Sequence, residues 1–97
     1  VLVDDMIDTA GTITEAIKVL TNAGAKKVIV AATHGILSDP AVRRLSESGA
    51  TEVVITDTLP VSAEKRFPSL TILSIAPLLA RAILEVFEDG SVTSLFT

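Results

Sequence analysis

Short apolar runs and longer apolar stripes alternate along the chain. Val1-Leu2-Val3-Asp4-Asp5 is a brief apolar run ending in acids, and it reads as a buried strand. Ile13, Ala16, Ile17, Leu20 and Ala23 then recur at offsets of three and four, the spacing of one helix face. Thr12 and Glu15 have capping-box spacing, and Gly24 stands where that helix would stop. Lys27 to Ala32 predicts a second strand, apolar on both faces as a central parallel strand is. Asp39 before Pro40 predicts an N-cap with proline at the first helical position, opening a short helix that reaches Ser48 and stops at Gly49. Glu52 to Thr56 is a third strand.

Asp57 to Pro68 is polar and reads as a connection, and Leu70 to Leu73 reads as a fourth, short strand. Ser74 is placed to cap the last helix, with Pro77 tolerated in its first turn. Leu79, Ala82, Ile83, Val86 and Phe87 form the stripe of that helix, and Gly90 ends it. Glu88 and Asp89 oppose the helix dipole at its C-terminal end. Val92 to Phe96 predicts a final edge strand. This β-α-β-α-β-β-α order implies an α/β layered fold with a mainly parallel sheet. Right-handed crossovers predict helices on both faces, an incomplete three-layer, Rossmann-like arrangement.

Composition narrows the picture. The chain has 97 residues, 48% of them hydrophobic and 21% charged, which suits one domain with a real core. The absence of cysteine excludes disulfides, thiolate catalysis and Cys-based zinc sites. A formal charge of −4 argues against nucleic-acid binding, which rests on clustered Lys and Arg. No apolar run reaches the ~20 residues of a membrane span, and no signal-peptide pattern opens the chain. The expectation is a cytoplasmic protein with no membrane partner. Because the chain opens at Val1, without an initiator Met and inside an expected core strand, it is also expected to be a piece of a longer protein.

One constellation carries chemistry: Asp4-Asp5-Met6-Ile7-Asp8-Thr9-Ala10-Gly11-Thr12, between a strand and a helix N-terminus. Open α/β sheets bind ligands at such strand ends. Small residues at Thr9, Ala10 and Gly11 let backbone N–H groups turn toward one point, and the helix adds partial positive charge there, so the segment suits phosphate. Thr9 and Thr12 add hydroxyl donors. Three aspartates without a Lys or Arg before Lys18 fit a sugar phosphate better than a bare anion. Its phosphate would take the amides, while carboxylates accept hydrogen bonds from vicinal ribose hydroxyls, with or without a bridging Mg²⁺. The segment is neither a Walker A loop nor a GxGxxG turn. Aspartate at a strand end and threonine at a helix start are also ordinary turn and capping residues.

The stretch Val1 to Thr12 resembles the ribose-5-phosphate-binding motif of the phosphoribosyltransferase fold, and within it the ribose-phosphate pyrophosphokinase family. Ala32-Thr33-His34-Gly35-Ile36-Leu37-Ser38-Asp39-Pro40-Ala41 and Ser91-Val92-Thr93-Ser94-Leu95-Phe96 continue the resemblance, which covers the whole chain. It implies that residues 1–97 are a C-terminal phosphoribosyltransferase-like domain of a longer, homohexameric or otherwise homo-oligomeric enzyme of nucleotide biosynthesis. That enzyme moves diphosphate from Mg-ATP to ribose 5-phosphate, making phosphoribosyl pyrophosphate. The resemblance places ribose hydroxyls at Asp4, with Asp5 beside it for hydroxyl or indirect Mg²⁺ support, and the 5-phosphate at Asp8, Thr9, Ala10, Gly11 and Thr12. Ser91 and Thr93 match positions that help hold an allosteric phosphate in regulated members. Ala10 stands where the family often has Gly, and the cradle should tolerate this unless the position needs φ > 0.

The family's catalytic Lys and Arg, its metal-binding His and Asp and its ATP contacts all lie upstream of this motif. No catalytic residue is therefore assigned in this chain, and the chain alone is expected to be inactive. His34 reads as a hydrogen-bonded structural residue, Arg43 and Arg44 as solvated, and Lys65-Arg66 as a surface pair. A non-catalytic regulatory homologue and a nucleobase phosphoribosyltransferase are the alternatives, the latter needing a nucleobase hood that the sequence does not display.

Overall fold

The computed structural model describes residues 1–88, Gly90 and Leu95. Ser91, Thr93 and the edge strand expected over Val92 to Phe96 lie outside the described residues. Four strands, β1 (Leu2–Ile7), β2 (Ile29–Gly35), β3 (Glu52–Thr56) and β4 (Leu70–Leu73), form one sheet in the order β1-β2-β3-β4. Every pairing is parallel. The helices are α1 (Gly11–Asn22), α2 (Ala41–Glu47) and α3 (Ala76–Phe87). The α/β class and the parallel sheet agree with the sequence pattern.

The strand order never reverses, so crossovers of one hand carry α1 and α2 to the same face. Ile13 and Ile17 of α1 and Ala41 and Leu45 of α2 join Val30, Ala32, Val53 and Ile55 in one buried cluster. Helices on both faces would need a reversal in strand order, and among the described residues the second face carries no packed helix. α3 has the expected apolar stripe, yet it buries no side chain, and Phe87 is 86% exposed.

β1 departs from the expected buried strand. Among the described residues it has one neighbour, β2, and stands at the sheet edge, leaving Val3 78% exposed. β2 is the central strand its double-faced apolar pattern calls for, although it runs two residues later than expected. Pairing with β1 prolongs it through His34 and Gly35, opposite Met6 and Ile7.

Helix ends show where local spacing misleads. α1 starts at Gly11, with Ala10 rather than Thr12 in the N-cap position. Glu15 pairs with Lys18 at 3.4 Å instead of reaching back to close a capping box. α2 starts at Ala41 with Pro40 at its N-cap, and no side chain caps it, so Asp39 is not the cap. Gly24 and Gly49 take φ of +105° and +81° just past α1 and α2, the left-handed stops that glycine permits. At α3 the N-cap position falls to Ile75 rather than the expected Ser74, although the Ala76 amide donates to Ser74 Oγ at 3.2 Å, and Pro77 sits in the first turn. The Asp57–Pro68 connection holds a 3₁₀ turn at Ala63–Lys65 and buries Phe67 against the core.

Candidate functional site

The site grows from the C-terminal end of β1. Asp4 and Met6, two apart on the strand, lean to one side of it. They line an open cavity of ≈ 170 Å³ together with Asp8, Thr9, Ala10, Gly11, Thr12 and Ile13. Drug-sized pockets run to about 300–1,000 Å³, so this one suits a small polar ligand. Six of the seven expected ligand residues thus meet at one cavity. Asp5 does not line it. Strand alternation turns its side chain the other way, and its amide donates to Asp4 Oδ1 at 2.8 Å.

Backbone hydrogen bonding explains the character of the loop. The Ile7 carbonyl accepts from the amides of Ile36 and Leu37, at 2.9 and 3.1 Å. The Thr9 carbonyl accepts from Arg44 Nη1 at 3.1 Å. Thr14 Oγ1 donates to the carbonyls of Ala10 and Gly11, at 2.8 and 3.0 Å. In a trans peptide the N–H of the next residue points opposite to the carbonyl. Tying down these four carbonyls therefore turns the amides of Asp8, Ala10, Gly11 and Thr12 the other way. Among the described residues none of these amides donates a hydrogen bond to another protein group. The first amides of a helix are orphans in any case, and with the helix dipole they give this end of the cavity donors and positive partial charge, the character that suits an anion.

Ala10 makes the turn possible at a cost. Its φ of 65° and ψ of 15° lie in the left-handed region, which Gly enters freely and other residues enter at about 1–2 kcal/mol. The sequence condition on this position, that the cradle tolerates Ala unless φ must be positive, is met on its unfavourable side. The cavity nonetheless forms, with Ala10 itself buried.

Arg44 is the residue that sequence reasoning missed. It lies 35 positions from Thr9, on an amphipathic helix where a solvated side chain is the ordinary outcome. The side chain stays exposed, as expected, but its guanidinium also reaches the back of the loop, so close that a Cβ on Gly11 would stand 3.2 Å from Nη1. No spacing rule could have found this contact, which depends on α1 and α2 sharing a face. Met6 and Ile13 were also not singled out; they form the apolar part of the lining.

His34 accepts or donates a hydrogen bond through Nδ1 to Thr58 Oγ1 at 2.8 Å, and Thr56 Oγ1 donates to the Thr33 carbonyl at 2.6 Å. This network ties the ends of β2 and β3 and leaves His34 with a structural contact. Arg43, Lys65 and Arg66 make no side-chain hydrogen bond or ion pair among the described residues. Magnesium prefers an octahedron of oxygens. Among the described residues no three acidic or histidine side chains gather to hold a metal.

Comparison with known proteins agrees with this fold. The family model described as phosphoribosyl synthetase-associated domain matches residues 1–97. The chain is 65% identical over 96 residues to a ribose-phosphate pyrophosphokinase of Mycobacterium bovis, covering 99% of this chain and 29% of that protein. It is 68% identical over 96 residues to the ribose-phosphate pyrophosphokinase of Bifidobacterium longum, covering 99% of this chain and 28% of that protein. The crystal structure of phosphoribosylpyrophosphate synthetase from Mycobacterium smegmatis superposes with a TM-score of 0.87 at 64% identity, over 92% of this chain and 30% of that one. The chain thus spans less than a third of the length of these relatives. With the parallel sheet, the amide-lined turn and a match along its whole length, the chain belongs to the ribose-phosphate pyrophosphokinase (phosphoribosyl synthetase) family.

Proposed function

We propose that the cavity at the end of β1 binds ribose 5-phosphate. In this reading the chain is the sugar-phosphate-binding part, a C-terminal phosphoribosyltransferase-like domain, of a longer cytoplasmic, homo-oligomeric enzyme. That enzyme transfers diphosphate from Mg-ATP to ribose 5-phosphate. The carrying observation is that the amides of Asp8, Ala10, Gly11 and Thr12, unpartnered among the described residues, belong to residues lining the same cavity as Asp4.

The chemistry follows from the donors. The 5-phosphate takes hydrogen bonds from the loop amides and from the Thr9 and Thr12 hydroxyls, while Asp4 accepts from the ribose hydroxyls. A carboxylate alone would repel phosphate, but a sugar phosphate separates its two polar ends, placing hydroxyls at the acid and the anion at the helix N-terminus. Asp8, exposed in the turn, tunes rather than anchors the phosphate, because its carboxylate carries charge of the same sign. Mg²⁺ arriving with ATP would supply the charge neutralisation that phosphoryl transfer requires, with Asp4 and Asp5 as its nearest candidate supports in this chain. This chain's own residues bind and orient the acceptor sugar.

Calorimetric titration of ribose 5-phosphate into the protein at the full length of its relatives, paired with a turnover assay containing ATP and Mg²⁺, tests the reading. Saturable binding with formation of phosphoribosyl pyrophosphate is expected. Binding without turnover would make the protein a non-catalytic homologue, and no binding would remove the site.

A further inference from the structure

Arg44 has no part in the cavity lining, yet its side chain spans from α2 to the loop and donates from Nη1 to the Thr9 carbonyl at 3.1 Å. Thr9 and Ala10 share one peptide plane. Whatever holds the Thr9 carbonyl toward α2 holds the Ala10 N–H toward the cavity. Turning that plane over would change ψ of Thr9 and φ of Ala10 together. For an alanine at φ 65° the turned-over state is the more comfortable one, since it releases the residue from the left-handed region. Nothing in the local sequence opposes the release: the residue is not glycine, and no side chain caps the helix there. The neighbouring carbonyls of Ala10 and Gly11 are held by Thr14 from within α1, so Thr9 is the one carbonyl of the turn whose partner comes from α2. Gly11 leaves room for this partner, because a Cβ there would press on the guanidinium.

We infer that Arg44 is a positioning residue of the anion cradle, holding the Thr9–Ala10 peptide in the strained orientation that points the Ala10 amide at a phosphate group. The inference rests on the phosphate-binding reading of the cavity for its ligand, and on the backbone geometry alone for its mechanism. Arg44 also supplies the positive charge that the first seventeen residues lack, from behind the loop rather than within it. Charge and positioning make different predictions, because only positioning depends on which residue occupies position 10.

The test is a double-mutant cycle on the protein at the full length of its relatives, isotope-labelled in alanine and read by NMR. Arg44→Met is expected to abolish the strong intraresidue HN–Hα NOE that a positive φ gives Ala10. It is also expected to weaken binding of ribose 5-phosphate and of inorganic phosphate about tenfold, the scale of one left-handed alanine. Adding Ala10→Gly, which removes the preference for the turned-over state, should bring affinity back to within about threefold of Ala10→Gly alone. Retention of the NOE in Arg44→Met, or an equal loss of affinity in the Ala10→Gly background, would overturn the inference; the second result would leave Arg44 as a simple charge. If the wild-type chain shows no shifts with ribose 5-phosphate, the proposed ligand falls, while the NOE comparison still decides the role of Arg44.

Discussion

Gly35 of β2 and Ile55 of β3 approach so closely that a methyl group on Gly35 would overlap Ile55 Cδ1. Ile55 is fully buried between the strands and the helices above them, so its terminal methyl has no free space to enter. The contact sits where β2 ends, beside the Ile7 carbonyl that anchors the start of the loop lining the candidate site. Packing at the sheet centre and geometry at the site are therefore one problem.

Gly35→Ala should destabilise the fold by about 1–3 kcal/mol, the usual effect of overpacking a tight interior. Chemical denaturation would show a lower midpoint at unchanged slope. Ile55→Val, which removes Cδ1, should recover part of the loss in the double variant. A Gly35→Ala protein as stable as the parent would mean that the strands separate without cost.

Position 10 and position 16 should respond differently to glycine. Ala16 lies within α1, where Ala→Gly costs about 1 kcal/mol. Ala10 is left-handed, and there glycine relieves backbone strain that offsets the lost methyl burial and the added unfolded-state freedom. Thermal melts of the two variants should place Ala10→Gly at or above the parent and Ala16→Gly below it. The reverse order would contradict the left-handed turn.

Asp4 and Asp5 are adjacent and chemically identical, but only Asp4 lines the cavity. Asp4→Ala combined with Thr12→Ala should lower ribose 5-phosphate affinity by about 10–100-fold, the scale of lost charge-assisted hydrogen bonds. Asp5→Ala should change it by less than about threefold, within the range of a screened surface charge. Titration calorimetry on the protein at the full length of its relatives separates them. Equal effects would place both acids on the ligand.

α3 depends on its first turn. The Ile75 amide donates to Asp57 Oδ1 at 2.8 Å, joining the end of β3 to the start of a helix that buries no side chain. Asp57→Ala should cost about 0.5–2 kcal/mol, as loss of a capping acceptor does, and Asp57→Asn should restore most of it. Amide exchange across α3 reports the effect: faster exchange in Asp57→Ala and near-parent rates in Asp57→Asn are expected.

The 97-residue chain alone, supplied with ATP, Mg²⁺ and ribose 5-phosphate, should show no turnover above background. In the reading proposed above its residues hold only the acceptor sugar, and phosphoryl transfer also requires cations that neutralise the transferred group. Robust product formation would show that the chain carries catalytic groups of its own.

Periodicity and stop residues made most of the elements legible. β3 and β4 occupy the expected residues, and Gly24 and Gly49 end their helices, because such signals act within a few positions. The clustering at the candidate site was legible too: residues close together in a strand-to-helix turn share one end of the sheet, and Asp4, Asp8, Thr9, Ala10, Gly11 and Thr12 do line one cavity. Three features were not. Strand alternation removed Asp5 from the cavity, the edge position of β1 exposed a run that reads as core, and the unreversed strand order put α1 and α2 on one face. That last choice joins Arg44 to Thr9 across 35 residues. Local pattern sets which segments become strands and helices, because propensity and capping act between neighbours. Which segments then touch is a matter of chain topology, and here topology converts a solvated-looking arginine and a strained alanine into parts of one turn.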